Sequence, residues 1–145
     1  MKALLQRVQT ASVQVAGHEI ARIHQGLLVF LALEKGDGPE AEAKMQDKIL
    51  QLRIFSDDAD RMNLNVQDIG GEILLVSQFT LAADCRRGRR PSFDRALPPD
   101  LARPAFAAFA QRLAARYPRV QLGEFGADMQ VSLINDGPVT LWLEF

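Results

Sequence analysis

The chain predicts one α+β domain over residues 1–145, with mostly antiparallel sheets approaching a closed barrel and two main helices packed on them. Three observations carry that reading. Apolar and polar residues alternate with a period of two near both ends of the chain. Two unbroken apolar runs lie between those ends, and two apolar stripes recur at helical spacing behind prolines.

Taken in order, Ser12-Val13-Gln14-Val15 alternates, Ala16-Gly17-His18-Glu19 turns, and Ile20 to Ile23 returns as a second strand. Leu27 to Leu33 is apolar without alternation, as a strand covered on both faces would be. Gly36-Asp37-Gly38-Pro39 ends it, and Pro39 suits the first turn of a helix, where its missing N–H costs nothing. Ala41, Met45, Ile49 and Leu52 then form one helical stripe. Gly70-Gly71 opens a second buried strand, Ile73-Leu74-Leu75-Val76, which runs into Ser77-Gln78-Phe79-Thr80-Leu81. Pro98-Pro99-Asp100 starts the second helix, whose core face is Phe106, Phe109, Ala110, Leu113 and Tyr117, and Pro118 stops it. Met129, Val131 and Leu133 alternate with polar residues. Asn135-Asp136-Gly137-Pro138 is expected to break the chain, and Val139, Leu141, Leu143 and Phe145 alternate to its end.

Composition narrows the function classes. Hydrophobic residues are 48% and charged residues 24% of the chain, an ordinary globular balance. No apolar stretch is long enough to span a bilayer and Gln6 and Arg7 interrupt the start, so a cytoplasmic protein without membrane attachment is expected. The single Cys85 excludes an internal disulfide, and no metal-spaced cluster or phosphate-binding glycine loop occurs, so neither metal nor cofactor is expected. The net charge of −1 does not point to nucleic acid. Its distribution does, because residues 86–95 hold five arginines (Arg86, Arg87, Arg89, Arg90, Arg95) against Asp94. Taken alone, such a run also fits a solvated loop.

Candidate chemistry sits at two polar interruptions. Ser77, Gln78 and Thr80 offer donors and acceptors at the end of a buried strand, beside backbone N–H groups able to hold a carbonyl oxygen. Read plainly, Thr80 is a strand residue and Gln78 faces solvent. Asn135-Asp136-Gly137-Pro138 has the composition of a turn, and a proline in extended chain also admits a cis bond, an alternative the sequence leaves open. The two histidines, His18 and His24, both fall in the N-terminal hairpin and at the surface. Any reaction here therefore proceeds without the usual side-chain base.

Ser77-Gln78-Phe79-Thr80-Leu81, then Gly88-Arg89-Arg90-Pro91-Ser92-Phe93, then Gly126 and Asn135-Asp136-Gly137-Pro138-Val139-Thr140, together resemble the D-aminoacyl-tRNA deacylase family over essentially the whole chain. The resemblance implies a homodimer in which Gly137-Pro138, as a Gly-cis-Pro element, enters the partner's site. By the same resemblance Ser77, Gln78, Phe79 and Thr80 would form the receiving pocket, and the terminal 2′-hydroxyl of the tRNA would take part in catalysis. In that family reading Thr80 is the one candidate nucleophile of the protein itself, and Cys85 is given no catalytic role. Arg86, Arg87, Arg89 and Arg90 would then contact tRNA phosphates near the acceptor end.

The implied task is mainly discrimination, since the ester is activated and the L and D groups differ only in the direction of the side chain at Cα. A rigid wall on one side of Cα separates them without reading side-chain identity, and it would pass glycine as well. Proline fixes its own backbone angle and glycine allows close approach, which suits both residues to such a wall. Two other classes compete. A noncatalytic nucleic-acid-binding module would use the arginines alone and bind without turnover, and a small-molecule esterase would use Ser77 or Cys85 and react with a serine- or thiol-directed reagent.

Overall fold

The computed structural model describes residues 1–145. Its frame is a long strand, β1 (Lys2–Val15), which makes a hairpin with β2 (His18–Ile23). Ala16 and Gly17 turn that hairpin at φ of 49° and 80°, the paired positive angles that a two-residue turn between right-twisted strands requires. β3 (Gly26–Ala32) follows and runs antiparallel to the first half of β1, so β2 and β3 share one edge of β1 end to end. The chain then crosses through helix α1 (Pro39–Gln51) and a short hairpin of β4 (Phe55–Ser56) and β5 (Met62–Leu64). It returns as β6 (Glu72–Ser77), parallel to β3. Helix α2 (Pro99–Arg116) makes the second crossover, and β7 (Val120–Leu122) lies parallel to β6. β8 (Met129–Glu144) covers the free edge of β1 along nearly its whole length.

The six strands β1, β2, β3, β6, β7 and β8 make one sheet that curls until β2 approaches β6 and β7, nearly closing a barrel. Two cores result. Leu27, Val29, Leu31, Ile73 and Leu75 face Met45 and Ile49 of α1 and Phe106, Phe109 and Leu113 of α2. Leu28, Leu74 and Val76 point the other way, into the curl, against Val8, Val13 and Ile23. β3 and β6 are thus buried on both faces, which explains why their sequences are apolar without alternation. Each fully buried leucine or phenylalanine contributes about 1.5–3 kcal/mol by leaving water.

Parallel neighbours need a crossover, and the two helices supply it from one face of the sheet. The acidic Glu40 and Glu42 in the first turn of α1 complement the helix dipole. Arg112 and Arg116 of α2 pair with Glu42 and Asp47, which ties the helices together. At the foot of β3, a Cβ on Gly26 would stand 1.8 Å from the carbonyl oxygen of Glu72, so only glycine permits β6 to come that close.

Three features depart from the sequence expectation. β3, β6 and β7 pair in parallel within an otherwise antiparallel sheet. The stretch expected to break at residues 135–138 stays within one sixteen-residue strand, because Asn135 and Thr140 both keep their partners on β1. Finally, Phe79–Ala82 is a 3₁₀ turn rather than a continuation of β6. No helix is long and apolar enough to cross a membrane.

Candidate functional site

A cavity of about 620 Å³ opens beyond the carboxyl ends of β3 and β6, where the two cores meet. Leu31, Val76, Ser77, Gln78 and Phe79 form its floor. Pro98, Pro99, Ala102 and Phe106 at the start of α2 make one wall, and Phe125, Gly126, Ala127, Met129 and Val131 make the other. The lining is mostly apolar, with Lys35 and Asp94 its charged members.

The last bond of the parallel β3–β6 ladder is Gln78 N–H to Leu31 O at 2.8 Å. The chain then tightens into the 3₁₀ turn, closed by Leu81 N–H to Gln78 O (3.2 Å) and Ala83 N–H to Thr80 O (3.1 Å). The opening N–H groups of such a turn, those of Phe79 and Thr80, have no acceptor within it. Gln78 Nε2 donates to Thr80 Oγ1 at 2.5 Å, and no imidazole, amine or carboxylate lies within hydrogen-bond distance of that hydroxyl. An amide cannot remove a proton, so Thr80 has no base to activate it. Both histidines are exposed on or beside β2, and neither lines the cavity.

The arginine-rich segment rises from the mouth of this cavity. Asp84 and Ser92 exchange two backbone hydrogen bonds at 2.8 and 3.0 Å and pinch the loop at its base. Residues 95–97 are held to β3's extension by Lys35 N–H to Arg95 O and Leu97 N–H to Leu33 O, both 2.9 Å. Two of the five arginines are paired within the chain. Arg86 grips Asp84, and its guanidinium and backbone N–H hold that carboxyl well below the usual carboxylate range. Arg95 pairs with buried Glu34 at 3.2 Å. Arg87, Arg89 and Arg90 are exposed and have no acidic partner within 4 Å. Cys85 is exposed.

Gly137 and Pro138 lie elsewhere, and neither lines the cavity of its own chain. The peptide between them is cis, and Gly137 has φ of 148°. Between the paired ends Gln6↔Thr140 and Val8↔Asn135, the single residue Arg7 of β1 opposes four of β8, so residues 136–139 bulge out of the strand. The bulge is braced from both sides. Asn135 accepts from Val139 N–H at 2.7 Å and donates to Val139 O at 3.2 Å, replacing the neighbouring strand that Val139 lacks. Arg7, nearly buried, donates to Asp136 O at 2.8 Å and to Ile54 O at 2.6 Å.

Of the sequence-predicted residues, the structure thus brings Ser77, Gln78 and Phe79 into one cavity. Thr80 stands just outside it, Arg86, Arg87, Arg89 and Arg90 stand on the loop above, and Gly137-Pro138 projects from the far strand. Sequence reasoning missed Arg7, whose partners lie 129 and 47 positions away, and the aromatic contributions of Phe93 and Phe125.

Residues 4–144 match the family model described as D-Tyr-tRNA(Tyr) deacylase. The chain is 54% identical to the D-aminoacyl-tRNA deacylase of Dichelobacter nodosus and 55% identical to that of Haemophilus influenzae (strain PittEE). Each alignment covers 99% of both chains. Among solved structures it is similar to the c-Myc DNA Unwinding Element Binding Protein, with a TM-score of 0.96 and 40% identity over 100% of this chain and 99% of that one. A probable eukaryotic D-amino acid tRNA deacylase shares the fold at a TM-score of 0.86 and 17% identity, covering 98% of this chain and 97% of its own.

Proposed function

Because the chain belongs to the D-Tyr-tRNA(Tyr) deacylase family, and is a hydrolase of the ester bond in D-aminoacyl-tRNA, we propose that it works as a homodimer whose Gly137-Pro138 bulge closes the partner's cavity. The observation that carries this reading is the separation within one chain. Ser77, Gln78 and Phe79 line a cavity that the braced bulge of the same chain does not reach. The outer face of β8 supports the pairing, since Ile134 is 54% and Trp142 48% exposed on either side of the bulge.

In the closed site the aminoacyl ester lies on the 3₁₀ turn, and the N–H groups of Phe79 and Thr80 stabilise the oxyanion that forms as the ester carbonyl is attacked. The 2′-hydroxyl of the terminal adenosine assists the attack, in keeping with a Thr80 hydroxyl that accepts from the Gln78 amide and faces no base. The bulge acts as the wall: backbone carbonyls around Gly137 hold the substrate ammonium, and an L side chain would strike it. Arg7 and Asn135 supply the stiffness that the task needs. Arg87, Arg89 and Arg90, with Arg86 exchanging its contact to Asp84, meet phosphates of the acceptor stem. The place of work is the cytoplasm, where aminoacyl-tRNA is used.

A wall that excludes only the L side chain passes glycine. Release of labelled D-alanine, glycine and L-alanine from one tRNA body is therefore expected to be fast, comparably fast and negligible, respectively. Glycyl-tRNA as resistant as L-alanyl-tRNA would mean that the D side chain is gripped, a contact worth about 1–3 kcal/mol for a methyl-sized group, and the wall would be discarded.

A further inference from the structure

We propose that Phe79 and Phe93 form a stacking platform for the base of the nucleotide that precedes the terminal adenosine, so that the enzyme reads a single-stranded 3′ end and not an isolated nucleoside ester. The proposal rests on the deacylase reading of the same cavity and adds a base-binding step at its mouth. Phe79 is 56% and Phe93 36% exposed, although both touch the cavity. Their ring centroids are 5.0 Å apart at an interplanar angle of 63°, an edge-to-face pair. In such a pair one ring uses only its edge and the other one face, so stacking surface remains free on both. The two rings come from different segments, the 3₁₀ turn after β6 and the residue after the Asp84–Ser92 pinch, and each backbone is held by the hydrogen bonds described above. The pair is therefore set in place before any ligand arrives.

What occupies it is argued from its neighbours. The loop pinched off immediately before Phe93 carries Arg87, Arg89 and Arg90 with no acidic partner. Exposed aromatic rings beside unpaired arginines are the combination that holds single-stranded nucleic acid, with bases on the rings and phosphates on the guanidinium groups. A chain that leaves the cavity between Phe79 and the loop meets the rings first and the arginines next. Base-paired nucleic acid does not fit this order, because its bases are already stacked on one another.

The test compares hydrolysis of the D-alanyl esters of adenosine, of the cytidylyl-adenosine dinucleotide, and of the same dinucleotide with an abasic first residue. Wild-type protein is expected to favour the cytidylyl over the abasic substrate about 5- to 150-fold in kcat/KM, the range of one base stacked on an aromatic ring. Phe93→Ala should bring that ratio close to one and Phe93→Trp should keep it. Because the readout is a ratio on one protein, general damage to folding cancels. Equal wild-type rates on the two dinucleotides, or an unchanged ratio in Phe93→Ala, would overturn the platform. Conversion of Phe93→Ala to a monomer in sedimentation would assign the rings to the subunit contact instead. Failure of all three esters, the adenosine ester included, would overturn the deacylase reading beneath it.

Discussion

Thr80 shows how little a residue's type says without its partner. A threonine at the mouth of a hydrolase cavity invites the role of nucleophile, yet its hydroxyl receives a hydrogen from Gln78 and faces no base. Thr80→Ala is accordingly expected to keep most of the turnover. A substrate ending in 2′-deoxyadenosine should slow wild-type protein by about 10²-fold or more, the scale of losing a positioned proton-transfer group. Measured single-turnover rates on the two substrates decide the matter: normal hydrolysis of the deoxy ester, with an inert Thr80→Ala, would make the threonine the nucleophile. The place of Ser77 and Gln78 in the cavity lining was legible because they interrupt a buried apolar strand, whereas Phe79 came only with the family resemblance. Arg7 was not legible. It is one arginine in an alternating strand, and its meaning comes from carbonyls of Asp136 and Ile54 that only the folded chain brings to it.

At the level of elements, the long ones were readable and their partners were not. Leu27–Leu33 and Ile73–Val76 announced strands covered on both sides, and the stripes behind Pro39 and Pro99 announced helices. Periodicity carries no information about which strand lies alongside, so the parallel β3–β6–β7 arrangement came from the structure. β4, β5 and β7 span two or three residues each, too short to show any period. The end of α2 is fixed by a contact that also escapes periodicity, the Tyr117 hydroxyl donating to Gly71 O at 2.5 Å, which joins the helix to the start of β6. Burial raises the Tyr117 pKa above its ordinary 10.0, and Glu72 adds to the rise against an opposing Arg119. The folded state therefore holds this proton more tightly than the unfolded chain. Its contribution is complete below pH 10 and is lost as the pH climbs through the folded-state value. Tyr117→Phe is expected to cost about 1 kcal/mol in denaturant melts at neutral pH and to flatten the alkaline fall in stability.

For the whole molecule, the proposed dimer makes each site from two chains, and that can be counted. A Gly137→Val protein would lack the wall and a Gln78→Ala protein would lack the pocket. After mixing and subunit exchange, half of the dimers are mixed, and each mixed dimer holds one intact site. About a quarter of wild-type activity should then appear from two inactive proteins. A mixture that stays inactive would return Gly137-Pro138 to its own chain. The doubly covered strands have a further consequence, for the order in which the molecule comes apart. Amides of β3 and β6 have apolar cover above and below and strand partners on both sides, so they should exchange with deuterium only through global unfolding, while those of residues 87–90 exchange at once. Ser77 is the last residue of β6. The cavity floor is thus fastened to the last part of the protein to open, and the loop above it can fluctuate without disturbing the atoms proposed to carry the ester.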